Sequence, residues 1–208
     1  PDVVHVHNTF QSLSPAVITA AARAGAAVVQ TLHNFRLICP QGALLRQGRV
    51  CEDCVGRAPW LGVARACYRR SLAQSAALTT MLMVHRGLGT YQRGVDRFIA
   101  LSQFSRQKLI DGGLPGEIIA VKPYYFEWTD DPVEEGRSGG VFVGRLSAEK
   151  GIEVLLQARR SHGLDGVDVI GHGEVYQSDV ARLFGAHYLG FQPLDSVVRR
   201  LRSASFLV

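Results

Sequence analysis

The stretch Gly139 to Gly151 reads GGVFVGRLSAEKG. Val141, Phe142 and Val143 form a short apolar run behind two glycines, the pattern of a strand buried in a parallel sheet. Gly144 ends the run. Ser147 is placed to cap a helix, and Ile152, Leu155 and Leu156 repeat at helical spacing beyond it. The expected order is strand, glycine, short loop, helix. Such a loop gathers backbone N–H groups, a helix N-terminus, the Arg145 guanidinium and the Lys150 ammonium, which are the parts that hold a phosphate or diphosphate. An ordinary strand–loop–helix with two solvated cations fits the same spacing.

The alternation continues on both sides. Upstream, Val3, Val4 and Val6 read as a strand ending at His7-Asn8, Ser14-Pro15 opens a helix that Gly25 closes, and Val28 to Leu32 is a second strand with His33-Asn34 at its end. Strand, helix, strand at this spacing is a βαβ unit with parallel pairing. Helical spacing over Tyr68 to Arg93 (Leu72, Leu78, Leu82, Met83), a strand at Arg97 to Leu101, a helix capped by Ser102 and a strand at Ile118 to Val121 follow. Downstream come a strand at Val167 to Ile170, the glycine pair of Gly171-His172-Gly173, helices over 176–184 and 195–204, and short strands at Tyr188 and Phe206. A glycine pair at a strand end lets a backbone come close to a ligand. The fold class is therefore α/β, with two Rossmann-like domains built on parallel sheets: residues 1–125 with an insertion at 36–70, a linker at 126–139, and residues 140–208. The linker is marked by EWTDDPVEE at 127–135, where five of nine residues are acidic.

The 208 residues are 47% hydrophobic and 20% charged, an ordinary globular balance. No run approaches the ~20 apolar residues of a membrane span, and PDVVHVHN lacks the layout of a signal peptide. These features fit a cytoplasmic protein. The net charge of +5 is uneven: residues 1–125 hold 14 Lys and Arg against 6 Asp and Glu (+8), and residues 126–208 hold 9 against 12 (−3). The basic half suits an anionic partner, such as a membrane surface at the inner face, an acidic acceptor or nucleic acid, or is simply a basic surface.

All four cysteines lie in the insertion, as C-x11-C-x2-C-x12-C: Cys39, Cys51, Cys54 and Cys67. That spacing favours a structural zinc site, with Arg46, Arg49, Arg57 and Arg65 to offset thiolate charge. Free thiols are the alternative, and disulfides suit a reducing compartment less well.

The loop sequence G-R-L-S-x-E-K-G behind V-F-V resembles the hallmark of the group 1, family 4-like retaining glycosyltransferases, which have the GT-B fold. PDVVHVHN (1–8), TLHNFRLICP (31–40), DRFIALSQFSRQKLI (96–110) and GHGE (171–174) are similar to the family's pattern in the same order, so the resemblance covers essentially the whole chain. It implies that Gly144, Arg145 and Lys150 grip the diphosphate of a nucleotide-sugar donor, that Gly171 and Gly173 belong to the donor nucleotide loop, and that His33 is the catalytic-cleft histidine contacting the donor sugar. It further implies hexosyltransferase-like chemistry with retention, no cofactor required for catalysis, and a sugar, lipid-linked or other anionic acceptor. The family's opening strand and glycine-rich loop, and a glutamate pair eight positions apart, find no counterpart here. The expectation is a piece of a longer enzyme truncated at both ends and inactive alone.

A different class remains as an alternative: a zinc-containing basic module that binds nucleic acid or another anionic partner without catalysis. No aromatic-basic interleaving or nucleic-acid motif supports it, and no nucleic acid is expected as a partner.

Overall fold

The computed structural model describes residues 1–8, 13–125 and 136–208. The chain divides into two compact units, 1–127 and 128–208. Most of the expected linker, residues 126–135, lies outside the described residues.

In the first unit, strands β1 (Val3–Val6), β2 (Ala27–Leu32), β5 (Arg97–Ala100) and β6 (Ile119–Val121) form one sheet in the order β1-β2-β5-β6, with every pairing parallel. Helix α1 (Ala16–Arg23) begins where the Ser14 hydroxyl accepts the Ala16 N–H at 3.0 Å, and it buries Ile18 completely. Helix α5 (Gln103–Asp111) is capped by Ser102, whose hydroxyl accepts the Ser105 N–H at 3.1 Å. The core gathers Ile18, Val28, Ile38, Phe98, Ala100 and Leu109 between sheet and helices.

The insertion is a different kind of structure. It holds a two-residue-per-strand hairpin, β3 (Leu45–Arg46) with β4 (Arg49–Val50), and a single-turn helix, α2 (Leu61–Ala64). Helix α3 (Leu72–Gly87) and the short α4 (Thr90–Arg93) lead back to the sheet. The buried face of α3 is Ser75, Leu78, Thr79 and Leu82. Leu72, counted above as part of the apolar stripe, is instead exposed. Ser75 can occupy the inner face because its hydroxyl takes the Tyr68 N–H at 2.9 Å.

The second unit is β7 (Gly140–Val143), α6 (Ile152–His162), β8 (Val167–Ile170), α7 (Gln177–Phe184), β9 (Tyr188–Gly190), α8 (Leu194–Ser203) and β10 (Phe206–Leu207). Its sheet has the order β10-β7-β8-β9, again wholly parallel. Phe142, Ile152, Leu155, Val169, Val180 and Phe184 form its core. No helix among the described residues is long and apolar enough to cross a membrane.

Candidate functional site

The strand order of the second unit fixes where a ligand would sit. The chain runs from β7 to β8 to β9 in one direction, then returns to place β10 on the other side of β7. The reversal makes a topological switch point between β7 and β10, and in open parallel sheets ligands bind beyond the carboxyl ends of the strands at that point. The loop from Gly144 to Gly151 leaves the carboxyl end of β7 there. Leu146 is buried and anchors the loop, while Arg145 and Lys150 are exposed on either side of it. Ser147 precedes a 3-10 turn over Ala148–Lys150 without capping it by a side-chain hydrogen bond, and Gly151 begins α6 with φ of 77°.

Arg145 is engaged locally. Its Nη2 lies 2.9 Å from Glu149 Oε1, with the two side chains 73% and 59% exposed. The carboxyl of Glu149 is held below the usual carboxylate range, first by its own backbone N–H, then by the Ser147 hydroxyl, and then by Arg145 and Lys150. A pair this exposed is worth little and exchanges easily, so the guanidinium can leave Glu149 for a phosphate.

The glycine pair after β8 packs against this loop. Gly144 N–H donates to the Ile170 carbonyl at 3.0 Å and Leu146 N–H to the His172 carbonyl at 3.1 Å. A Cβ on Gly171 would stand 1.8 Å from the Gly144 carbonyl oxygen, and one on Gly173 would stand 2.4 Å from that of Leu146. The close approach these glycines permit is therefore between two strand-end loops, which fixes the shape of the Arg145–Lys150 loop.

In the first unit, β1 and β2 are neighbours, and their ends bring histidines together. His7 Nδ1 and His33 Nε2 are 2.9 Å apart, His33 Nδ1 and the Tyr124 hydroxyl 2.6 Å, and His5 Nε2 and the Thr31 hydroxyl 2.8 Å. Both ring nitrogens of His33 are thus used, which suits a neutral ring that donates on one side and accepts on the other. Desolvation first, then repulsion from His7 and His5, lowers the pKa of His33 from its ordinary 6.5. In the window just below 6.5 the unfolded chain then binds more protons than the folded one. Stability is expected to rise with pH through that window and to be lost as pH falls. Urea unfolding across about pH 7.5 to 5 should show this slope and should show less of it in His33→Gln; an identical slope in the variant refutes the assignment.

The four cysteines, all unpaired, line one small cavity together with Arg46 and Arg65. Burial first, then the neighbouring cysteines, pushes the thiols of Cys54 and Cys67 up. Among the described residues, no group of three or more His, Cys, Asp or Glu side chains is drawn together as a metal centre.

The family described as glycosyl transferase 4-like domain matches residues 1–124, more than half of the chain. The chain belongs to the glycosyl transferase 4-like family. Nothing among curated proteins matches it. Among solved structures, Anabaena HepE in complex with UDP is similar at 15% identity and a TM-score of 0.57, over 98% of this chain and 52% of that one. HepE in complex with UDP-glucose gives 17% and 0.56, over 98% and 52%. The likeness shows the fold, α/β with parallel GT-B-type Rossmann-like sheets, and this chain spans about half the length of those structures. Within the glycosyl transferase 4-like match lie His33 and the cysteines, whereas Arg145, Lys150 and the glycine pair lie outside it. Sequence reasoning missed Tyr124 as a partner of His33. The two are 91 residues apart, and no local spacing links them.

Proposed function

We propose that this chain carries the donor-binding loop of a glycosyltransferase that moves a hexose from a nucleotide-sugar donor to an acceptor with retention of configuration. The observation that carries the reading is the Arg145–Lys150 loop at the carboxyl end of β7, beside the switch point of a parallel sheet. Membership of the glycosyl transferase 4-like family supports it, as do the UDP and UDP-glucose bound to the similarly folded HepE.

The chemistry follows from charge. Transfer breaks the bond between the anomeric carbon and the β-phosphate oxygen, and the electron pair leaves with the nucleoside diphosphate. The acceptor hydroxyl forms the new bond and gives up its proton to the departing diphosphate. Arg145 and Lys150 stabilise the negative charge that develops on the departing diphosphate. Two cations there supply the charge without a metal. Gly144 allows the diphosphate to approach the backbone, and Gly171 and Gly173 hold the neighbouring loop against it. For His33, neutral and held by His7 and Tyr124, the family resemblance supplies a sugar-contacting role. The basic residues of 1–125 receive a sugar, lipid-linked or other anionic acceptor, and can rest on an anionic membrane surface at its cytoplasmic face.

Calorimetry of the full-length protein with UDP and other nucleoside diphosphates, alongside an oligonucleotide, tests the reading. Saturable diphosphate binding, with diphosphate release from one of a panel of nucleotide sugars, is expected. Salt-sensitive oligonucleotide binding without any diphosphate binding would replace it with a nucleic-acid function.

A further inference from the structure

Residues 36–70 join the core of the first unit through Leu37, Ile38 and Val55 and bury Leu44, but they carry little regular structure of their own. Regular structure amounts to the β3–β4 hairpin and the single turn of α2. Leu45, Val50, Trp60 and Leu61 are exposed. Every non-glycine residue with positive φ among the described residues falls here: Leu44, Gln47, Ala66, Arg69 and Arg70. Left-handed backbone costs on the order of 1–3 kcal/mol per such residue and persists only where the surroundings over-determine it. A segment with little core and strained backbone needs another constraint, and small cores commonly find one in a metal or a cross-link.

The cysteines are where such a constraint would act. Cys39 follows the turn after β2, Cys51 follows β4, Cys54 lies in the next turn, and Cys67 comes just after α2. Backbone hydrogen bonds seat them: Cys51 N–H to the Leu44 carbonyl at 2.8 Å and Cys67 N–H to the Gly62 carbonyl at 2.9 Å. Four thiols from four separate turns border one cavity of about 20 Å³. A water-sized occupant needs roughly 10–15 Å³, so the space is on the scale of a single ion. Thiolate sulfur is a soft ligand that selects zinc among abundant divalent ions. Charge is provided for as well: Arg46 and Arg65 border the cavity, and Arg65 Nη1 lies 4.0 Å from Cys51 Sγ while pairing with Asp53.

We propose that Cys39, Cys51, Cys54 and Cys67 together bind one zinc ion as a structural tetrathiolate site that clamps residues 36–70. The four thiols border their common cavity without being drawn together as a metal centre in this structure, so binding requires the sulfurs to close around the ion from its walls. Binding releases the four thiol protons to solvent and leaves a site of net charge −2, which the neighbouring guanidinium groups offset. The clamped segment is seated on the first unit by the Lys108–Glu52 pair at 2.8 Å and by Arg86 donating to the Leu37 carbonyl. The ion therefore also steadies the chain leading from His33 into the insertion. This inference is independent of the proposed glycosyl transfer.

The test is metal analysis of the full-length protein purified without chelators, by plasma emission spectrometry and intact mass. About one zinc per chain is expected. Replacement by cobalt(II) should give the visible bands of a tetrahedral tetrathiolate ion. A Cys51→Ser, Cys54→Ser double variant and Cys67→Ser should each lose zinc at least roughly tenfold. If the variants do not fold, stoichiometry and the cobalt spectrum of the unaltered protein still decide. Zinc-free protein with four reactive thiols, a mass lowered by disulfide formation, iron with labile sulfide, or zinc retained in the cysteine variants would each overturn the proposal.

Discussion

Gly171→Ala is expected to unfold the second unit or bring it close to unfolding. At φ of +138°, Gly171 occupies backbone space that side chains rarely adopt, and its added Cβ would meet the Gly144 carbonyl oxygen at 1.8 Å. No side chain can swing aside, because the obstacle is backbone. Relief requires the two strand-end loops to part, which breaks the hydrogen bonds from Gly144 N–H to Ile170 and from Leu146 N–H to His172. Strained φ at about 1–3 kcal/mol and two lost hydrogen bonds at about 1 kcal/mol each sum to roughly 3–5 kcal/mol. A domain is stable by only about 5–15 kcal/mol. Urea unfolding should show a correspondingly lower midpoint. Gly144→Ala is the control, since its Cβ meets nothing closer than 3.8 Å and its φ is not left-handed. It should leave stability within about 1 kcal/mol of the unsubstituted protein. Equal stability of Gly171→Ala and the unsubstituted protein would refute the paired-loop geometry. Gly144→Ala also serves the function: a folded variant with weakened diphosphate binding would mark Gly144 as a point of close ligand approach.

The strands were legible because a parallel strand is covered on both faces, so Val141 to Val143 appears as an unbroken apolar run behind glycine, and Val167 to Ile170 as an apolar run between glycines broken only by Asp168. The loop at the end of β7 was legible for the same reason, since a strand end and a helix start bracket it. Helix α3 was read on the wrong face in part. Ser75 is buried through a hydrogen bond to Tyr68, which a hydropathy pattern does not record, while Leu72 is left outside. The β3–β4 hairpin carries no readable pattern because each strand has only two residues. At the candidate site, spacing singles out Arg145 and Lys150 but fits two solvated cations equally well, and only the family resemblance gives them a diphosphate; the pairing of Arg145 with Glu149 is not anticipated. Nor is the target of Gly171. Glycine signals close approach, but only the topology says that the approaching atom is the Gly144 oxygen.

Arg145→Ala is expected to weaken nucleoside diphosphate binding by roughly 10- to 100-fold, from charge-assisted hydrogen bonds worth ~1.5–3 kcal/mol. The guanidinium offers a planar fork that matches two phosphate oxygens, whereas the Lys150 ammonium acts as a point charge. Lys150→Ala should therefore weaken binding similarly, and Lys150→Arg should restore it only in part. Glu149 makes the prediction sharper. In the unliganded loop it holds Arg145 at 2.9 Å, so it competes with the diphosphate for the same guanidinium. Removing its charge in Glu149→Gln should tighten binding, by about twofold given that exposed i,i+4 pairs are worth ~0.3–0.5 kcal/mol. Opposite signs at neighbouring positions separate a direct phosphate contact from a general change in loop stability, which would weaken binding in every variant. Calorimetry with the free diphosphate on the full-length protein gives all four constants. Unchanged affinity in both alanine variants would remove the diphosphate from this loop, and with it the physical basis for glycosyl transfer at this site.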